Sequence, residues 1–133
     1  LSRLVEEGKL SFPRGIVRKV AYHDPCYLGR HSGVFKAPRD LLGSLPAVEP
    51  VELTRSGSMG LCCAGGGGRI WGEVPVGERF GELRVMDAVG SGAEVLTTAC
   101  PYCINMLTDA CKSLERQDFL EVLELSELLV KAL

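Results

Sequence analysis

The sequence predicts an α/β fold, a parallel sheet of about four strands flanked by helices, on three observations. Segments of strand character alternate with amphipathic helical segments along the whole chain, as in successive βαβ units. The 133 residues suit one domain with its own core, since 46% are hydrophobic and 24% charged, close to the globular average. Glycine is abundant, at 16 residues, with no repeat period, which fits many tight turns between short elements.

Residues 1–9 read as the end of a helix closed by Gly8. Residues 16–22 (IVRKVAY) read as a strand. Residues 35–45 follow as a helix, with Pro38 early and Pro46 just past the end. Residues 47–53 (AVEPVEL) form a weak strand, where Pro50 predicts an edge or a bulge. Residues 78–90 predict an amphipathic helix: Phe80, Leu83, Val85, Met86 and Val89 follow a 3.6-residue period, and Gly90 stops it. Residues 93–98 (AEVLTT) are a short apolar strand, and residues 101–116 a helix with Pro101 in its first turn. Residues 119–124 (FLEVLE) are the last strand, and Ser126 is expected to cap a helix over 127–132.

Charge and hydropathy exclude several functions. The net charge of -2 gives no basic surface for nucleic acid. The longest uncharged run, Val95 to Thr108, carries polar residues and falls short of the ~20 apolar residues of a spanning helix, so no transmembrane segment is expected in this chain. The charge-studded first twenty residues lack the apolar stretch of a signal peptide, which points to a reducing, cytoplasmic setting.

Five of the six cysteines occupy one kind of place. Cys26 follows the first strand in HDPC, Cys62 and Cys63 lie in the loop GLCCAGGGGR after the second, and Cys100 and Cys103 mark the turn from the third strand into its helix. In a parallel sheet the carboxyl ends of the strands share one rim, where ligands bind, so three loops distant in sequence can meet there. Inert buried thiols would not gather in this way. Disulfides suit neither an adjacent pair nor a reducing compartment. A redox Cys-x-x-Cys, with Cys100 activated at a helix N-terminus, uses two cysteines and leaves three unexplained. A zinc site closes on four thiolates and leaves one over, whereas five suit a cluster of several irons. Gly65, Gly66, Gly67 and Gly68 fit a cluster-binding role, because a glycine loop exposes N–H donors to anionic sulfides; the same run also reads as a plain turn. No Lys-Ser/Thr follows it, which excludes a phosphate-binding P-loop.

The order Cys26, Cys62-Cys63, Cys100-x-x-Cys103, together with HDPCYLGRHSGV, LCCAGGGGRIW and TACPYCINML, resembles the cysteine-rich CCG domain over residues 20 to about 130. That domain occurs in two kinds of heterodisulfide reductase polypeptide, in the iron–sulfur subunits of glycolate and lactate oxidases, and in anaerobic glycerol-3-phosphate dehydrogenase. The resemblance implies a Rossmann-like α/β domain, with Cys26, Cys62, Cys63, Cys100 and Cys103 as ligands of an iron–sulfur cluster. It implies a [4Fe–4S] cluster, of the noncubane kind in the heterodisulfide reductases, where it cleaves the disulfide of two thiol coenzymes. One position departs from the pattern: the family usually has Gly directly after the cysteine pair, and here it is Ala64. HDPC and LGRHSGV look most like the longer heterodisulfide reductase polypeptides, which carry an N-terminal ferredoxin-like part and two of these domains, and like their bacterial relatives. Residues 1–133 would then be a single CCG-type domain, the C-terminal part of a longer chain. Its partners would be a ferredoxin-like domain, a flavoprotein, or a membrane haem or quinone subunit that holds it peripherally on the cytoplasmic membrane. Its function would be to transfer electrons or reduce a disulfide within an oxidoreductase. The alternative is a zinc-stabilised docking domain using four of the same cysteines.

Near these loops, His23 and His31 read either as donors to a bound sulfide or as loop histidines bonded to backbone. Arg30 and Arg69 read as surface residues that could also offset cluster charge. Trp71 reads as a shield for the cluster or as core. Cys111, two turns past Cys103 on one helix face, is expected to pack structurally against the sheet.

Overall fold

The computed structural model describes residues 1–133. Four strands, β1 (Arg18–Tyr22), β2 (Val48–Val51), β3 (Val95–Thr98) and β4 (Glu121–Glu124), form one all-parallel sheet in the order β2-β1-β3-β4. The helices are α1 (Ser2–Glu6), α2 (Lys36–Gly43), α3 (Phe80–Gly90), α4 (Pro101–Ser113) and α5 (Leu125–Lys131). The expected α/β architecture is therefore present. Its strand order reverses direction at the β1/β3 pair, where Val20 faces Val95 and Tyr22 faces Thr97. Such a switch point opens a crevice at the carboxyl ends of the strands.

Two cores lie on the two faces of the sheet. One gathers Phe12, Val20, Leu42, Val95, Leu128 and Leu129 beneath α2 and α5. The other gathers Ala21, Val85, Leu96, Cys103, Leu107 and Cys111 beneath α3 and α4. The split follows from alternation along β1: Val20 and Tyr22 join the first core, and Ala21 between them joins the second. Pro50 lies in β2 at the sheet edge, where a residue without a backbone donor is tolerated.

Most elements are shorter at their ends than the sequence predicts, the last helix starts earlier, and α3 buries a different face. The last helix begins at Leu125 and is capped by Glu124, not Ser126. The Glu124 side chain accepts from the Ser126 N–H at 2.7 Å, and Glu127 accepts from the Glu124 N–H at 2.9 Å, a reciprocal capping box. In α3 the buried positions are Gly81, Glu82, Arg84, Val85 and Ala88, while Met86 is exposed and Phe80, Leu83 and Val89 are only half-buried. Close approach decides this face. A Cβ on Gly81 would lie 3.4 Å from the Ala110 Cβ and 3.4 Å from the Met106 carbonyl oxygen, so small residues set how near α3 comes to α4. The carboxylate brought inside finds partners: Glu82 accepts from the Gly77 N–H at 2.5 Å and from the Ser113 hydroxyl at 2.8 Å.

Candidate metal centre

The cysteine loops leave the carboxyl ends of β2, β1 and β3, three neighbouring strands. The loop after β1 turns through one π-helical stretch, Tyr27–His31, directly after Cys26. Two bonds tether it to the segment leading into Cys62 and Cys63. Asp24 Oδ2 accepts from the Gly57 N–H at 2.8 Å, and Arg30 Nη2 donates to the Gly60 carbonyl at 2.8 Å. Arg39 holds Asp24 from the other side with Nη1 and Nη2, at 2.7 and 2.9 Å, and its Nε donates to Glu52 at 2.6 Å. Burial alone would raise the Asp24 pKa, but the Arg39 fork and the Gly57 N–H outweigh it and hold the carboxyl below its ordinary range. The charged clamp thus fixes the path of two of the three loops.

Cys63 and Cys103 are buried and meet, their sulfurs 3.2 Å apart and not disulfide-bonded. Cys26, Cys62 and Cys100 are half-buried and lie outside the group formed by His23, Cys63 and Cys103, whose ligand atoms are within 4.8 Å of one another. Burial raises the Cys62 pKa, the Ala64 N–H pulls against it, and the neighbouring Cys63 and Cys26 add to the rise while Arg30 opposes it. Cys100 lies close enough to Cys103 to help raise the latter's pKa. Within the buried pair, Cys63 gives up its proton first. The thiol of Cys103 stabilises its thiolate against the cost of burial, as do His23 and the Gly65 N–H, and Cys103 is raised in turn. Gly65 N donates toward Cys63 Sγ at 3.4 Å, and Ala64 N toward Cys62 Sγ at 3.3 Å. A Cβ on Gly65 would sit 2.9 Å from Met106 Cγ, so a side chain there would force Met106 to shift where this backbone closes on the sulfurs. Gly66, Gly67 and Gly68 lie farther out on the exposed part of the loop, with positive φ at Gly67 and Gly68. Ala64 also takes a left-handed φ of 67°, a conformation that suits the glycine usual at this position.

His23 is fully buried, and one of its ring nitrogens lies within 4.8 Å of both the Cys63 and Cys103 sulfurs. Its Nδ1 accepts from Arg84 Nε at 3.0 Å. Other buried polar atoms at the ends of β1 and β3 have no hydrogen-bond partner: Tyr22 Oη, which lies on the α2/α5 side, His23 Nε2, Thr97 Oγ1 and Thr98 Oγ1. Arg84 is the participant the sequence does not announce, because an arginine in a surface helix reads as solvated; its burial follows from the small-residue packing of α3. His31 stacks on Tyr27 at the surface, with ring centroids 5.0 Å apart. Arg69 lies over the Phe80 ring at 4.4 Å. Trp71 is 86% exposed and belongs to neither core, so the reading of it as core is corrected; the 3-10 turn Arg69–Trp71 carries it outward. Cys111 is 2% exposed in the α3–α4 core, its sulfur 3.6 Å from the Leu120 carbonyl, as a structural cysteine should be. A cavity of about 520 Å³ opens behind the glycine loop between Ala64, Trp71, Phe80 and Met106, but no cysteine lines it.

Three buried ligand-type atoms within 4.8 Å, two of them thiol sulfurs, match soft-metal chemistry, as do three further half-buried thiols on the same loops. A family model described as "Cysteine-rich domain", CCG, matches residues 20–108. A polypeptide of the dihydromethanophenazine:CoB–CoM heterodisulfide reductase of Methanosarcina barkeri is 39% identical over all of this chain and 32% of its own length. The "Probable iron-sulfur-binding oxidoreductase FadF" of Bacillus subtilis is 37% identical over 99% of this chain and 19% of its length. The EtfAB:quinone oxidoreductase of Syntrophomonas wolfei is 34% identical over the whole chain and 20% of its length. The chain thus spans between a fifth and a third of the length of these relatives, and no helix in it is long and apolar enough to cross a membrane. With its cysteine pair at the head of the glycine loop and its sheet rim, the chain belongs to the CCG cysteine-rich domain family.

Proposed function

We propose that Cys26, Cys62, Cys63, Cys100 and Cys103 hold an iron–sulfur cluster of the [4Fe–4S] type, cubane or noncubane, and that the domain serves an oxidoreductase as a redox module. The observation that carries this reading is the buried, unbridged Cys63–Cys103 pair at 3.2 Å beside an unpartnered His23 Nε2. Thiols this close, on loops tied together by Asp24 and Arg30, are arranged as donors to one centre. Such a cluster supplies one-electron transfer, and thiol or disulfide chemistry where an iron is accessible. The chain's own groups tune it: the Gly65 and Ala64 N–H donors, the half-buried sulfurs and the fully buried His23.

The names of the relatives support a place in a multi-component redox system, as one domain of a longer chain that works beside other redox subunits. Such partners include a ferredoxin-like domain, a flavoprotein and a membrane haem or quinone subunit, and the module would sit on the cytoplasmic side of the membrane through them. The relatives' chemistry offers either electron relay to a quinone or reduction of a disulfide. Anaerobic purification followed by metal and acid-labile sulfide analysis tests the proposal. Brown protein with iron and sulfide in equal amounts is expected. Colourless protein holding zinc without sulfide would instead establish the docking-domain alternative, with four of the five thiolates as ligands.

A further inference from the structure

Arg84 is an arginine with no exposed surface, and its surroundings do not match an ordinary buried ion pair. Its Nη1 donates to the Arg55 carbonyl and lies 3.5 Å from Asp87, its Nη2 has no partner, and its Nε is directed at His23 Nδ1, 3.0 Å away. A guanidinium has donors and no acceptor. A neutral imidazole has one nitrogen of each kind. The nitrogen facing Arg84 must therefore be the acceptor, which leaves the His23 proton on Nε2, the nitrogen without a partner on a ring set against Cys63 and Cys103.

We propose that Arg84 and His23 act as a positioning pair behind the cysteine site: Arg84 fixes His23 as the Nε2–H tautomer, so that His23 donates a hydrogen bond to the Cys63–Cys103 sulfurs and is not itself a ligand. This rests on the iron–sulfur reading above. A metal-ligating histidine almost always donates through its second nitrogen to a carboxylate, a carbonyl or water. Here that second nitrogen accepts, so the lone pair needed for ligation is occupied by a proton. The buried guanidinium also polarises the imidazole, which strengthens its N–H as a donor in a site of low dielectric. Hydrogen bonds to cluster sulfurs favour the more negative, reduced state and so raise the reduction potential.

The test is an EPR-monitored redox titration of the anaerobically purified full chain and its variants. His23→Leu removes the donor and should keep its iron, while the reduced-to-oxidised ratio at a fixed poise falls tenfold or more, about 59 mV for a one-electron couple. His23→Gln keeps an N–H and should fall less. Arg84→Met frees Nδ1 to take the proton and should shift in the same direction with iron retained. Pulsed EPR of the wild type should show an exchangeable proton close to the reduced centre and no nitrogen bound to iron; where a variant fails to fold, this measurement decides. Iron loss in His23→Leu equal to that in Cys63→Ser, or an iron-bound nitrogen, would make His23 a ligand and overturn the proposal. Unchanged potentials in His23→Leu and Arg84→Met, with iron present, would overturn the pair alone. Wild-type protein without iron would overturn the proposed function and the pair's role with it.

Discussion

Beneath α2 and α5 the sheet packs Val20, Leu41, Leu42, Val95, Leu128 and Leu129, without a cysteine; beneath α3 and α4 it packs Cys63, Cys103 and Cys111 among Ala21, Ala88, Ala93 and Ala110. The first face follows ordinary aliphatic packing, in which large side chains fill space and stability comes from apolar area removed from water. The second face uses small residues that bring α3 close to α4, and it encloses His23, Glu82 and Arg84, fully or almost fully buried. Both faces hold buried aliphatic side chains, with Leu53, Val85, Leu96, Leu107 and Leu120 on the second, but only the second combines them with cysteines and buried polar groups. The three cysteine loops open on the rim shared by both faces, but their two buried sulfurs belong to the α3–α4 core.

Damage to the first face should therefore show as lost stability, and damage to the rim as lost metal. The largest effect should come from the metal. Chelating iron from the anaerobic protein should cost more than ~4 kcal/mol, the linkage expected when a ligand stands a thousandfold above its dissociation constant, and should appear as a large drop in thermal midpoint. A midpoint indifferent to iron would break the contrast between the faces. Next, Leu42→Ala on the aliphatic face, where Leu42 is 2% exposed, should cost about 2–5 kcal/mol in denaturant unfolding while iron per folded molecule stays at the parent value. Cys111→Ala, in the α3–α4 core but away from the rim, should cost about 1–2 kcal/mol and leave the visible spectrum unchanged. The smallest effect has the opposite sign. Ala64 holds a left-handed φ of 67°, which costs an L-residue roughly 1–2 kcal/mol, so Ala64→Gly should raise stability by about 1 kcal/mol and leave the iron in place. A destabilised Ala64→Gly protein would show that the alanine methyl is needed in the loop.

The strand-end cysteines were legible because the signals are local. Short strands that end at Tyr22, Val51 and Thr98 each lead into a cysteine loop, and parallel topology puts those ends on one rim. Pro50 at the sheet edge and Cys111 in the core were legible for the same reason: a residue without an N–H, and a thiol two turns past Cys103 on one helix face, each have one comfortable place. What the sequence concealed depends on contacts between elements. The inward face of α3 is chosen by Gly81 against Ala110 and Met106, not by its apolar period, so Arg84 and Glu82 turn inward and Met86 turns out. Trp71 leaves the core because a short 3-10 turn carries it away, and such turns have weak sequence signals. The α5 cap falls on Glu124 because two glutamates three residues apart can bond each other's backbone, a reciprocal arrangement stronger than the Ser126 hydroxyl alone.

One metal centre on five thiolates, with the sixth cysteine outside it, is tested by the iron and sulfide content of six single Cys→Ala variants of the full chain, purified without air. Cys26, Cys62, Cys63, Cys100 and Cys103 variants should each lose iron or show an altered cluster spectrum, and Cys111→Ala should match the parent in both. Iron lost from Cys111→Ala while Cys26→Ala retains a full complement would contradict the ligand set and the placement of the centre at the strand-end rim.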